Sequence, residues 1–307
     1  MRHTKDPYHV DVSAIRESVS KFLNDSSSTR SPARREIKHS VNSVVQTILS
    51  AGWEAYIVGG TIRDIILGPK IVGSGAYYPR DVDIVVVGVD NEEIRAVFKH
   101  LYDRDTRFGG VHLIDYKPEG WKVMFDVWAL QATWGFTVQA LPMHISSFPQ
   151  LPFLNLDTAV VEIQALRGRP RQVFENGFVE GINERTIEIN FEPNPYPEIC
   201  MVRALIMAAK LGFTIGPRLF DFVLRRAEST PISVLMDAQR SHYGSDRCEA
   251  ETLLNWLKTL EQQASDGFTT GNITMKIPDQ LALWNNYPSE AQAQLGLASN
   301  MDDLVFK

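Results

Sequence analysis

Between Ser31-Pro32 and Gly52 the apolar residues Ile37, Val41, Val44, Val45, Ile48 and Leu49 recur at helical spacing. That stripe predicts an amphipathic helix, capped by Ser31, stopped at the glycine and backing a sheet. The period then changes. Ala55-Tyr56-Ile57-Val58 reads as a strand, Gly59-Gly60 as a turn, Thr61-Ile62-Arg63-Asp64 as the start of a helix, and Asp81-Val82-Asp83 as the entry to a strand through Val87. Residues 69–80 interrupt this pattern with two prolines, two glycines and two tyrosines, which predicts an exposed loop. A helix fits 91–101, and segments 111–116 and 121–130 read as an antiparallel pair turned at Pro118-Glu119-Gly120, so the sheet is expected to be mixed.

Beyond residue 197 the chain turns helical, with stretches at 198–211 (stopped by Gly212), 217–227, 232–240, 246–263 and 279–284. Pro193, Pro195 and Pro197 cluster where the texture changes. The expected organisation is a polar arm over 1–30 with one short helix at 12–23, a mixed-sheet head over 31–192, and a helical neck and tail over 193–307. The fold class is α+β with a C-terminal all-helical domain.

With 307 residues, 44% of them hydrophobic, the chain has enough apolar material for a sizeable core. A net charge of −6 argues against a surface that grips nucleic acid everywhere, while leaving room for a local basic groove. Cys200 and Cys248 are far apart and show no metal-ligand spacing, which suggests a reducing compartment. The start lacks an apolar core segment and no run approaches the roughly 18 apolar residues of a membrane span, so a cytoplasmic protein with no membrane partner is expected. No feature of the sequence sets an oligomeric state.

The candidate chemistry lies in residues 55–87. Side chains two apart on a strand share a face, so Asp81 and Asp83 can aim two carboxylates at one spot, for which Mg²⁺ is the natural counter-ion. Asp126, the only charge in Val123-Met124-Phe125-Asp126-Val127-Trp128, is the candidate third acid; the competing explanation is a structural pairing with Arg or Lys. Asp103-Arg104-Asp105 repeats the spacing but reads as a charged loop. Gly59-Gly60 before a helix N-terminus lets backbone approach a phosphate, yet matches neither the dinucleotide fingerprint nor the Walker loop. Arg63 fits either a phosphate grip or an ion pair, and Thr61 with Asp64 fits a capping-box-like start. Trp121, Trp128, Trp134 and Phe136 read chiefly as core, Arg167, Arg169 and Arg171 as a solvated basic loop, and Phe108-Gly109-Gly110 as a tight turn. His112 and His144 show no ligand spacing, and no Ser or Cys nucleophile is signalled.

Ile57-Val58-Gly59-Gly60-Thr61-Ile62-Arg63-Asp64-Ile65-Ile66-Leu67-Gly68, followed by Arg80-Asp81-Val82-Asp83-Ile84-Val85, resembles the head signature of the tRNA nucleotidyltransferase and bacterial poly(A) polymerase family, within the DNA polymerase β-like nucleotidyltransferase superfamily. The likeness continues at Phe153-Leu154-Asn155-Leu156-Asp157, at 177–182 and at 201–213. It implies a nucleotidyltransferase head in which Asp81, Asp83 and Asp126 bind metal, Gly59 and Gly60 bind triphosphate, and Arg203 is a neck arginine. It further implies transfer of a nucleoside monophosphate from an NTP to a hydroxyl of RNA or tRNA, with two Mg²⁺ ions and release of pyrophosphate. The Glu-Asp-x-x-Arg segment that reads bases in the tRNA-finishing enzymes is replaced here by Tyr196-Pro197-Glu198-Ile199-Cys200, and a second neck arginine by Ile206, so CCA addition itself is not implied. Two alternatives stay open: a non-catalytic nucleotide- or RNA-binding module, and a toxin- or defence-type transferase acting on tRNA, protein or a small molecule.

Overall fold

The computed structural model describes residues 9–24, 32–72, 79, 81–117, 122–166 and 168–275. Ser31, Arg80, the turn at 118–120, Trp121, Arg167 and the helix expected at 279–284 lie outside the described residues, as does most of the loop expected over 69–80. The described residues cluster into two compact units; Leu156–Val179 closes the first, and Phe153–Asn155 joins the second, which continues from residue 180.

The first unit is built on a mixed sheet. Its strands are β1 (Glu54–Val58), β2 (Asp81–Val87), β3 (Tyr102–Asp105), β4 (Val111–Tyr116), β5 (Lys122–Ala129), β6 (Val160–Glu162) and β7 (Val173–Phe174), in the order β3-β4-β5-β2-β1-β6-β7. Only β2 and β5 run parallel; the other neighbours are antiparallel. Strand alternation separates the two faces. Ala55, Ile57, Val82, Ile84, Val86, Val123, Phe125, Val127 and Ala129 form one face and are almost wholly buried. The helices of this unit are α1 (Val12–Asn24), α2 (Pro32–Ser50), α3 (Gly60–Val72), α4 (Asn91–Val97) and α5 (Trp134–Val138). As expected from its stripe, α2 packs on β1, while α4 packs on β4 and β5.

Three readings of the sequence change. Helix α1 is part of the first unit, because Ile15, Val19 and Phe22 form an apolar stripe that is buried. Arg171 holds it there: its Nε donates to Ser20 Oγ at 3.1 Å, its carbonyl accepts from Arg16 Nε at 2.9 Å, and its Nη1 bonds the carbonyl of Ile163. Helix α3 runs past Pro69 to Val72, so the loop starts later than the proline suggested. Asp103 and Asp105 lie on the edge strand β3, with Arg104 on Asp103 and Arg95 on Asp105; charged side chains are a usual device for blunting an exposed edge.

The turn between β3 and β4 is closed by Thr106, which accepts from Gly110 N through its hydroxyl at 2.8 Å. A Cβ on Gly110 would stand 2.5 Å from the Trp128 ring, so the turn is shaped to receive that ring. Gly110→Ala is therefore expected to destabilise the protein by about 1–3 kcal/mol, as overpacking does. Chemical denaturation checks this, and an unchanged midpoint would show that Trp128 moves freely.

The second unit contains α7 (Pro197–Leu211), α8 (Pro217–Ala227), α9 (Ile232–Tyr243) and α10 (Ala250–Ser265), preceded in the chain by the short α6 (Phe178–Asn183). Gly212 ends α7 in the left-handed region at φ 65°, as its place after the last apolar residue predicted. The unit includes residues before the proline cluster because β8 (Thr186–Ile187) pairs with β9 (Thr214–Ile215) and Leu154 bridges Ile189. Glu188 then caps α8, accepting from the backbone of Arg218 at 3.1 Å and Leu219 at 2.8 Å.

Candidate active site

The second face of the sheet is divided along its length. Toward the C-terminal ends of β2 and β5 it carries Val85, Val87 and Trp128, which with Tyr56, Val58 and Val160 pack under Leu130, Ile145, Phe148 and Leu151. The segment between β5 and β6, with 3₁₀ turns at Leu130–Ala132 and Ile145–Gln150, is thus a cover for that end. At the N-terminal ends the same face carries acids. Asp81 is exposed, Asp83 is partly buried, and the two alternate with the fully buried Val82.

Strand pairing brings Asp126 to them. Parallel register sets Asp83 directly opposite Asp126, and register partners share a face, so all three candidate acids lie on one side of the sheet. The partner that an acid on this strand required is a histidine, not the Arg or Lys considered from sequence. His112, opposite Asp126 in the antiparallel β4–β5 pair, places Nδ1 2.5 Å from Asp126 Oδ1. Among the described residues no three His, Cys, Asp or Glu side chains stand close enough to enclose a metal ion by themselves.

Antiparallel pairing of β1 with β2 places the end of β1, and hence Gly59-Gly60, beside the start of β2. Gly59 has φ +65°, a conformation L side chains rarely adopt, and a Cβ built there would lie 3.6 Å from Asp83 Oδ2. The glycine turn therefore sits against one of the acids. Its first amide is committed, since Gly59 N donates to the Ala159 carbonyl at 3.0 Å. Of the opening amides of α3, those of Ile62 and Arg63 donate back to the Gly59 carbonyl at 3.1 and 3.4 Å, whereas Gly60 and Thr61 come before the first acceptor the helix supplies.

Thr61 and Arg63 take roles the sequence did not settle. Instead of closing a capping box with Asp64, the buried Thr61 hydroxyl accepts from Asp83 N at 2.7 Å and donates to the Asp81 carbonyl at 3.3 Å. It ties the helix start to the backbone of both acids. Thr61→Val, which keeps the shape, is expected to cost about 1 kcal/mol of stability, the worth of about one hydrogen bond, with Thr61→Ser close to wild type. Equal midpoints for all three proteins in chemical denaturation would show that the hydroxyl does not hold the strand. Arg63, considered for phosphate, instead pairs through Nη1 with Asp157 at 2.5 Å and through Nε with Asp64 at 2.8 Å, all three being largely buried.

The remaining candidates divide plainly. Arg203 lies on α7 in the second unit. Arg171 is buried and so departs from the solvated basic loop, while Arg169, its side chain 36% exposed, pairs with Glu162 at 2.7 Å. His144 caps the 3₁₀ turn after it through Ser146. Trp128 and Phe136 pack against the apolar cluster, the core role expected of them. Burial and nearby Asp246 push the Cys248 thiol up to about 12, which suits no nucleophile.

The mixed sheet thus carries the strand, glycine turn, helix and Asp-x-Asp strand in the order the sequence predicts. A CC-adding tRNA nucleotidyltransferase of Halalkalibacterium halodurans is 30% identical over 184 residues, 57% of this chain and 39% of that protein. A CCA-adding enzyme of Limosilactobacillus reuteri is 38% identical over 178 residues, 56% of this chain and 40% of that protein. A solved CCA-adding enzyme in complex with CTP matches 80% of this chain and 54% of its own with a TM-score of 0.50 at 16% identity, a likeness of fold. No family model matches the chain. The chain thus spans about 40% of the length of these two curated relatives, and it is similar in sequence to tRNA nucleotidyltransferases. Among the described residues no helix is long and apolar enough to cross a membrane.

Proposed function

We propose that the first unit is a Mg²⁺-dependent nucleotidyltransferase that moves a nucleoside monophosphate from an NTP to a hydroxyl of an RNA acceptor, tRNA among them, and releases pyrophosphate. The observation that carries this reading is the meeting of Asp81, Asp83 and Asp126 on one sheet face with the Gly59 turn against Asp83. The relatives' names point the same way.

The donor set fits the metal: three carboxylates offer only hard oxygen ligands, and Mg²⁺ characteristically completes its shell with water and substrate phosphates. Asp81, Asp83 and Asp126 would hold the ions. When bound, Mg²⁺ supplies positive charge at the reacting phosphate and acidifies the acceptor hydroxyl.

The chain's own residues do the rest. Gly59, having no side chain, leaves the backbone open beside Asp83, and the amides of Gly60 and Thr61, with the positive end of α3, would face phosphate oxygens. The Thr61 hydroxyl fixes the strand that presents Asp81 and Asp83. Arg203, matched to a neck arginine by resemblance alone, is proposed as a nucleotide-binding residue. Since the base-reading segment of the tRNA-finishing enzymes is absent at 196–200, the proposal stops short of CCA addition.

Purified protein is incubated with Mg²⁺ and each labelled NTP in turn, with total RNA and without it. Label entering RNA from at least one NTP is expected, dependent on Mg²⁺. Label entering protein or a small molecule would move the acceptor to the transferase alternative, and NTP binding without any transfer would leave the binding module.

A further inference from the structure

We infer that His112 is a positioning residue for Asp126, an inference that rests on the metal-site reading above. Asp126 stands between two neighbours in register, Asp83 on β2 and His112 on β4, so a carboxylate on one side is balanced by an imidazole on the other. The His112 side chain is 10% exposed while that of Asp126 is 33% exposed, so the histidine is the more enclosed member of the pair and the acid the more accessible one. The hydrogen bond from the His112 ring takes up Oδ1 of Asp126.

The consequence follows from how carboxylates ligate. A short side chain with two equivalent oxygens rotates freely unless one is held, and a donor on one oxygen fixes the direction of the other. With Nδ1 as the donor, His112 holds Asp126 with one oxygen engaged and the second available for an ion. It also offers a hydrogen bond exactly where the charge of Asp83 would otherwise turn Asp126 away, since two like charges on adjacent strands repel. Support of this kind around a ligand changes metal affinity or activity by about 10–100-fold.

The test uses the whole chain and Mn²⁺ as the probe, with free ion counted by electron paramagnetic resonance. His112→Phe keeps the bulk and loses the donor; His112→Asn places an amide nitrogen near the position of Nδ1. The expected result is a Mn²⁺ dissociation constant raised about 10–100-fold in His112→Phe and largely restored in His112→Asn, with the same order in turnover at limiting metal and little change in KM for NTP. Melting curves and near-ultraviolet circular dichroism accompany each variant. Wild-type Mn²⁺ affinity in His112→Phe overturns the inference, as does equal weakening in both variants alongside equal loss of the folded signal. Asp83→Asn is the control that separates the two levels: if it leaves Mn²⁺ binding intact, the metal site itself is refuted, whereas if it abolishes binding and His112→Phe does not, only the role of His112 falls.

Discussion

Asp83→Asn is expected to lower nucleotidyl transfer by about three orders of magnitude or more, close to 4 kcal/mol of transition-state stabilisation, while the fold survives with its melting temperature held or raised. Asparagine has the size and shape of aspartate, so the contact with the Gly59 turn and the backbone bond from Asp83 N to Thr61 are retained. What disappears is one of three negative charges that share a sheet face, and with it the hard anionic ligand on which the proposed chemistry depends. The same deletion relieves repulsion among the remaining acids, which is why stability moves in the opposite direction from activity. Single-turnover incorporation from labelled NTP and a thermal melt on one preparation decide the matter. Full rate in the variant would end the assignment of Asp83, and a collapsed melt would show that the acid is structural.

Much of this site was legible in the sequence because its parts are local. Val and Ile runs mark β1 and β2, paired glycines mark the turn between strand and helix, and the two-residue spacing of Asp81 and Asp83 fixes their shared face whatever surrounds them. Asp126 was legible as a charge among apolar neighbours, but its place beside Asp83 needed the parallel register of β2 and β5, which joins residues 43 positions apart. His112 was missed for a related reason. Its link to Asp126 follows from the antiparallel register of one hairpin, and counting inward from the turn would have exposed it. Thr61 looked like a helix cap because its nearest acid in sequence is Asp64, whereas its hydroxyl reaches strand β2, 20 and 22 residues on. Helix α1 falls in the stretch the sequence marks as a polar arm; its buried stripe and Arg171, some 150 residues away, hold it in the first unit. In each case the local period was informative and the long-range partner was not.

Arg63→Met is expected to cost about 3–5 kcal/mol of stability, the usual consequence of removing one member of a buried ion pair. Asp157 is 7% exposed, and its Oδ1 is met by Arg63 Nη1 while Asp64 is met by Nε, so one guanidinium serves two acids from different segments. Without that cation both carboxylates remain in a region of low water access, close to each other and short of their strongest donor. Methionine fills much of the arginine stem's volume, so the loss reads out charge and hydrogen bonding rather than a cavity. Adding Asp157→Leu to Arg63→Met should then recover a good part of the stability, since well-packed apolar replacements of a buried pair are often neutral or better. Had Arg63 been the phosphate grip that sequence also allowed, the signature would be different: melting unchanged, KM for NTP raised, and no recovery in the double variant. Urea denaturation of the single and double variants together with NTP titrations separates the two, and the pairs with Asp64 and Asp157 favour the first.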